Sequence, residues 1–486
     1  MKKIPKTMST QHPDNVRLPF FAESPELGGE DEIQEAYYAF SHLGCTEQMW
    51  DSEGKEVDNF VVKKLLTKYE SFFKEKVLGE DVFLTMRVPN PDVEKAEAKI
   101  LLETLESIPR SFDAAKLVYG RDVSPIFEVI LPMCQSAESA DLVYKYYKNF
   151  VAGKQNKELN GSGKKISDWI GVFRPETINV IPLFEDREQF LNVDNITKEY
   201  LSDKDLESQR VFLARSDPAL NYGSLSAVLF NKIALQKLQN VEEETGVKIY
   251  PIIGVGSAPF RGNMRPQTAE RVAKGYSSVH TFSIQSSFKY DNEPHDVENA
   301  VKILNERTKS KQKEFDQKKA MKIVDKYSAE YRKEIVKLAP VINDLAKFVP
   351  ERRKRKLHIG LFGYSRELKG IFLPRAIKFA AALYSIGVPP EILGLNALSA
   401  SEFEELREFY PNIELDLRDA LVYYNDSSPL LSDELKKKVK ELFKDFEVNI
   451  DHRKFTSNAF KAFKEKNYTS LKENIMRAAD KRGFLG

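Results

Sequence analysis

Short apolar runs separated by helix-period segments organise the first 290 residues of the chain. The runs include Val82-Phe83-Leu84-Thr85-Met86, Phe127-Glu128-Val129-Ile130-Leu131-Pro132, Ile178-Asn179-Val180-Ile181-Pro182-Leu183, Val211-Phe212-Leu213-Ala214, Ile249-Tyr250-Pro251-Ile252-Ile253 and His280-Thr281-Phe282-Ser283-Ile284. They lack strict alternation, which is the pattern of strands covered on both faces of a parallel sheet. Between them, residues 92–107, 136–151 and 224–243 carry apolar positions at helical spacing. Strand and helix in alternation predict βαβ units. Two further strands, near residues 7–10 and 46–50, bring the expected set to eight, the number of a (β/α)8 barrel.

Beyond residue 291 the pattern changes. Lys- and Glu-rich helical stretches cover 298–348, 433–446 and 460–482, interrupted by one apolar run, Leu357-His358-Ile359-Gly360-Leu361-Phe362-Gly363. The expected class is therefore α/β: a (β/α)8 TIM-like barrel over 1–290 with most of the active site, and a large, mainly helical extension over 291–486 packed on it. Residues 152–165 predict an exposed loop. No solenoid-type repeat is present.

Composition narrows the function. Net charge is +1, from 74 basic and 73 acidic residues in 486, so no whole-molecule field favours nucleic acid. Any anion must be met by local arginines. Two cysteines, Cys45 and Cys134, build no disulfide framework or Cys-based metal site and fit a reducing cytoplasm. The basic start, Met1-Lys2-Lys3, is followed by no apolar stretch, so a signal peptide is not expected. The longest apolar run, 379–388, is too short to span a membrane.

In a barrel of this kind the reactive groups follow the C-terminal ends of the strands. Read in that way, the runs place His12, Trp50, Arg87, Glu185, Asp217, Arg261, Arg265 and Gln285 on one rim, together with Ser257 and Lys289. Glu185 and Asp217, on neighbouring strands, suit a hard cation such as Mg2+ or Mn2+. Taken singly, each is as readily a helix cap or an ion-pair partner. The loop from Gly254 to Arg265 combines glycines, which let backbone N–H groups approach an anion, with two arginine forks. Gly161-Ser162-Gly163-Lys164 lacks the strand and the glycine spacing of a Walker loop, and no Rossmann fingerprint is present. Arg366 and Arg375 add two more anion-binding candidates. His12, one of six histidines, suits proton transfer near neutral pH.

Taken in order, these segments resemble the archaeal-type phosphoenolpyruvate carboxylase family. Ser9-Thr10-Gln11-His12-Pro13-Asp14-Asn15 is similar to the family's Thr-Ala-His-Pro-Thr-Glu motif, in its archaeal form. Pro182-Leu183-Phe184-Glu185 and Ser216-Asp217-Pro218-Ala219 resemble the segments that supply its two metal ligands. Phe260-Arg261-Gly262 resembles the catalytic glycine-rich loop. Ile284-Gln285-Ser286-Ser287-Phe288-Lys289-Tyr290 and Pro374-Arg375-Ala376-Ile377 resemble two further conserved stretches.

The resemblance implies a cytoplasmic, anaplerotic homotetramer that joins phosphoenolpyruvate and bicarbonate into oxaloacetate and phosphate. It implies Mg2+ or Mn2+ on Glu185 and Asp217, and His12 as proton acceptor. Arg261, Arg366 and Arg375 would hold the phosphoryl group. Arg87, Arg265 and Gln285 would bind substrate, and Trp50, Leu183 and Phe212 would wall the methylene side. The bacterial and plant form carries a lysine where this chain has Leu220, so Arg215 and Lys289 become candidates for its role. The Phe-His-Gly lead-in to the glycine-rich loop is also missing.

Three rivals remain. Another metal-dependent barrel enzyme acting on pyruvate enolates would share the metal site and the arginines. A biotin-dependent carboxylase rests only on Ala320-Met321-Lys322-Ile323, within a charged helical run. An RNA-binding protein rests on Glu351-Arg352-Arg353-Lys354-Arg355-Lys356, a short basic run of the kind that is usually a solvated surface.

Overall fold

A computed structural model describes residues 3–52, 58–95, 98–354, 367–368 and 371–486. Eight parallel strands close into a barrel in sequence order. They are β1 (Thr7–Ser9), β2 (Glu47–Asp51), β3 (Phe83–Arg87), β4 (Glu128–Leu131), β5 (Asn179–Phe184), β6 (Ser208–Ala214), β7 (Lys248–Gly254) and β8 (Thr281–Ile284). Each falls on one of the eight expected runs. Closure is made by β1 against β8, with Met8 opposite Ser283.

Two-residue periodicity divides each strand between the barrel interior and the helical coat. Met8, Met49, Ile130, Ile181, Phe212 and Ile252 belong to a small apolar cluster of their own, distinct from the main core. Toward the N-terminal ends of the strands the interior turns polar. There Arg210 donates from both terminal nitrogens to Glu47, each at 2.7 Å, and from one to Glu128 at 3.2 Å. Such a pair is favourable only when its geometry is complete, and losing one partner typically costs about 3–5 kcal/mol.

The coat departs from the expected helices in identifiable ways. The helix expected over 92–107 is instead Ala98–Tyr119. Asn90 takes the preceding residues into a turn: its side chain accepts from Asp92 N and donates to Pro132 O. The stretch 298–348 divides into helices Pro294–Glu306 and Gln317–Ala346. Between them Arg307 leaves the helical conformation and donates to Ser277 O, and Lys309 donates to Ile249 O, so the connection is held against the barrel. The stretch 460–482 likewise divides, into Ile450–Lys464 and Tyr468–Arg482, with Lys466 at φ 54° between them.

The C-terminal region is mainly helical, and its helix Ala376–Tyr384 is almost wholly buried. The apolar run 357–363 lies outside the described residues. Within 152–165 a tight turn, Gly153–Asn156, precedes an exposed loop closed by a Glu158–Lys165 bridge. No helix among the described residues is long and apolar enough to cross a membrane.

Candidate active site

A cavity of about 860 Å³ opens at the C-terminal ends of the strands. Its walls bring together His12, Arg87, Leu183, Glu185, Phe212, Asp217, Arg261, Gln285 and Arg375. Strand parity explains much of this. Ile181 and Leu183 of β5 point inward, so Glu185, two residues on, faces the same side. Glu185 is then held in place: its N–H donates to Gln189 Oε1 at 2.8 Å, and Met133 N donates to its Oε2 at 3.2 Å. Met133 adopts φ 45°, a left-handed conformation that a side chain of this kind seldom takes outside constrained sites.

Asp217 sits in the first turn of the helix Ser216–Tyr222, directly after β6, where the positive end of the helix favours an acid. Glu185 and Asp217 thus end adjacent paired strands, with Leu183 opposite Phe212. Both are half-buried and reach one cavity. Among the described residues no group of three or more His, Cys, Asp or Glu could hold a metal. Two oxygen donors beside an open cavity fit a hard divalent cation that takes its other ligands from water and substrate.

Arg261 is the most elaborately held group. It lies in the turn Pro259–Arg261 and is buried. Its Nε donates to Ser216 Oγ at 3.1 Å and its Nη2 to Gln285 Oε1 at 2.6 Å. Its Nη1 donates to Asp14 Oδ2 at 3.1 Å and to Gly486 O at 3.0 Å. Four of its five N–H donors are therefore committed, and its plane is set. Gly256 makes this possible, since a Cβ there would stand 2.7 Å from Arg261 Nη1. Burial lowers the Arg261 pKa against the opposing pull of Asp14 and Asp217. Burial likewise pushes the Asp14 carboxyl up, while Arg261 and the N–H groups of Ser287 and Ser257 pull it down.

Other predicted residues take different places. Gln285 reaches the cavity but spends its carbonyl oxygen on Arg261. Arg87, at the end of β3, forms a two-pronged pair with Asp51 at 3.0 and 2.7 Å. Arg375 stands on the cavity wall at the N-terminus of the helix Ala376–Tyr384. Arg366 lies outside the described residues.

Trp50 is not on the cavity wall. It belongs to the core between barrel and helices, and its neighbour Met49 faces inward. Arg265 also misses the cavity. Past Asn263, which adopts φ 59°, the chain turns away, and Arg265 donates to Asn263 Oδ1 and lies 3.6 Å from Asp419.

Lys289 is not on the cavity wall either. Its three N–H donors go to Ser9 Oγ, Thr10 O and Glu35 Oε1, at 3.0, 3.0 and 2.9 Å. Leu220 is core, and its carbonyl accepts from Tyr331. Arg215 is buried and donates to Phe260 O at 3.1 Å, yet it also lines the cavity.

Several residues that brace the cavity are not among the expected site residues. Asp14 was visible in the motif two residues after His12, and Ser216 one residue before Asp217. Met133 and the stretch from Arg482 to Gly486 carried no signal, because their roles depend on contacts made from far along the chain.

The family model described as phosphoenolpyruvate carboxylase matches residues 4–486. A phosphoenolpyruvate carboxylase of Methanothermobacter thermautotrophicus is 57% identical over 484 residues, spanning 100% of both chains. Those of Methanospirillum hungatei and Pyrococcus horikoshii are 54% and 51% identical, each over at least 99% of this chain and 100% of its own. With a full-length match and identities far above what a shared fold alone requires, the chain belongs to the phosphoenolpyruvate carboxylase family.

Proposed function

We propose that the chain carboxylates phosphoenolpyruvate with bicarbonate, giving oxaloacetate and phosphate, by way of carboxyphosphate and the enolate of pyruvate. The observation that carries this reading is the convergence of one imidazole, two strand-end carboxylates and several arginines on a single cavity. Bicarbonate brings its own nucleophilic oxygen, so no side-chain nucleophile is needed.

In the first step a bicarbonate oxygen bonds to phosphorus, and the bond from phosphorus to the enol oxygen breaks. The electron pair leaves on the enolate. Such a transfer depends on positioning and charge neutralisation. Arg261 and Arg375 hold the phosphoryl oxygens, and we assign Arg366 to the same group. In the second step His12 accepts the carboxyl proton of carboxyphosphate. The bond from its carboxyl carbon to the bridging oxygen then breaks, releasing CO2 and leaving that oxygen on phosphate. In the third step the enolate carbon bonds to CO2. Each well-aimed donor to developing negative charge is worth about 3–4 kcal/mol. Leu183 and Phe212, with Met49 in the place expected for Trp50, wall the cavity and keep water from protonating the enolate.

The family reading carries a divalent metal, and we assign Mg2+ or Mn2+ to Glu185 and Asp217. When bound, it supplies a Lewis acid beside the enolate oxygen. Family membership alone supports a cytoplasmic homotetramer, and sedimentation at four chain masses tests the assembly.

No observation favours the rivals. Ala320-Met321-Lys322-Ile323 lies inside the helix Gln317–Ala346. Arg352 and Arg353, in the basic run, are buried rather than solvated, and Arg353 is paired with Glu35 and Glu32. A coupled oxaloacetate assay tests the proposal, with phosphoenolpyruvate, bicarbonate and Mg2+ each omitted in turn. Oxaloacetate should form only with all three. Phosphate release that ignores bicarbonate would favour a kinase-like or lyase-like enzyme.

A further inference from the structure

We propose that Thr10 is a positioning residue for His12: its hydroxyl accepts the Nδ1–H and so presents Nε2 to the cavity as the base. This rests on the role given to His12 above.

Thr10 Oγ1 lies 2.9 Å from His12 Nδ1. Thr10 is fully buried, and its main chain is fixed at both ends. Its N–H donates to Ile284 O at 3.0 Å, and its carbonyl accepts from Lys289 Nζ at 3.0 Å. Lys289 is itself held by Glu35, and Glu35 by Arg353 Nη2 at 2.6 Å and Tyr290 OH at 2.8 Å. The backbone of His12 is equally constrained, because its carbonyl accepts from Asp14 N and Ser286 N. With both backbones fixed, the imidazole ring has little freedom beyond its own two torsions. The Thr10 contact decides which nitrogen faces which way.

The chemistry favours a hydroxyl here. A hydroxyl oxygen accepts from Nδ1–H whether the ring is neutral or charged, so the ring need not turn when Nε2 takes a proton. A carboxylate at that place would stabilise the imidazolium and hold on to the proton. This base must give its proton up in every turnover, so a neutral partner suits it better. Lys289, expected to meet substrate, acts instead from behind, through the Thr10 carbonyl.

Two variants separate this role from packing. Thr10→Val keeps the shape and loses the hydroxyl; Thr10→Ser keeps the hydroxyl and loses a methyl. The readouts are the ratio of oxaloacetate to phosphate formed and the tautomer of His12. The tautomer is read by 15N NMR of the imidazole-labelled full-length enzyme, with His12→Asn locating the signal. Thr10→Ser should keep both the wild-type ratio and the Nδ1–H tautomer. Thr10→Val should lose the tautomer preference, and its ratio should fall about tenfold, the worth of one such hydrogen bond. An unchanged tautomer in Thr10→Val, or a Thr10→Ser enzyme as impaired as Thr10→Val, would overturn this proposal alone. Full carboxylation by His12→Asn would instead overturn the base role of His12.

Discussion

Arg261 Nη1 lies 3.0 Å from the carbonyl oxygen of Gly486, so the guanidinium on the cavity wall is held by a residue 225 positions later in the chain. Neighbouring contacts reinforce the tie. Leu485 N donates to Asp14 O at 2.7 Å, and Asp14 is also the carboxylate partner of Arg261. Gly486 has no room for a side chain: a Cβ would stand 2.1 Å from Ile377 O and 2.5 Å from Ala381 N. Gly486→Ala should therefore push the tail outward and disturb Arg261. Misplacements of this size cost on the order of 100-fold in rate. Steady-state kinetics should show that loss in kcat/KM for phosphoenolpyruvate, with thermal unfolding little changed.

Arg261→Lys keeps the charge and removes the fork. An ammonium cannot reproduce the planar contacts to Ser216, Asp14, Gly486 and Gln285. Activity should drop by about 100- to 1,000-fold, the cost of losing a transition-state donor. Activity within a few-fold of wild type would show that only the charge matters.

The fold was largely legible in the chain, and the site only in part. Buried strands announce themselves as apolar runs, and their number and spacing pointed to a barrel. Such runs lack strict alternation, and Met49 and Trp50 are both apolar neighbours, so the inward face is not visible. That is why Trp50 was expected at the cavity where Met49 stands. Glu185 was legible because it is polar and directly follows the run. Arg261 and Arg265 look equivalent in sequence and are separated only by the left-handed turn at Asn263. The role of Lys289 was hidden for another reason: its carboxylate partner, Glu35, lies 254 residues away, and nothing local marks a lysine as buried.

Glu185→Gln and Asp217→Asn should each weaken divalent metal binding. Titration of Mn2+ followed by EPR measures this without reference to turnover. A loss of at least about 10- to 100-fold in affinity is expected, since even supporting residues of metal sites cost that much. Wild-type Mn2+ affinity in both variants would remove the metal from these carboxylates.

Two buried acids give stability a pH dependence. Burial pushes the carboxyls of Glu334 and Glu391 up to about 7, from an ordinary 4.5. Between those values the folded chain keeps protons that the unfolded chain releases. Their contribution to stability is therefore complete below about pH 4.5 and is lost as pH rises through 7. Glu391→Gln removes one of the two titrations. The urea midpoint of wild type, relative to this variant, should fall between pH 5 and pH 8 by an amount on the order of 3 kcal/mol in stability. Parallel pH profiles would contradict it.

Glu47→Gln addresses the polar end of the barrel interior. It leaves Arg210 with Glu128 at 3.2 Å as its only remaining carboxylate in the described structure. Denaturant unfolding should show a loss of about 3–5 kcal/mol. KM for phosphoenolpyruvate should not move, because Glu47 lies at the opposite end of β2 from the cavity.

The route through carboxyphosphate is tested most directly by isotope transfer from bicarbonate labelled with 18O at all three oxygens. In the proposed first step one bicarbonate oxygen becomes bonded to phosphorus and stays there when CO2 departs. The phosphate product, read by mass spectrometry or 31P NMR, should carry a single 18O, and the new carboxyl of oxaloacetate should carry two. Phosphate free of label, formed alongside oxaloacetate, would contradict the account.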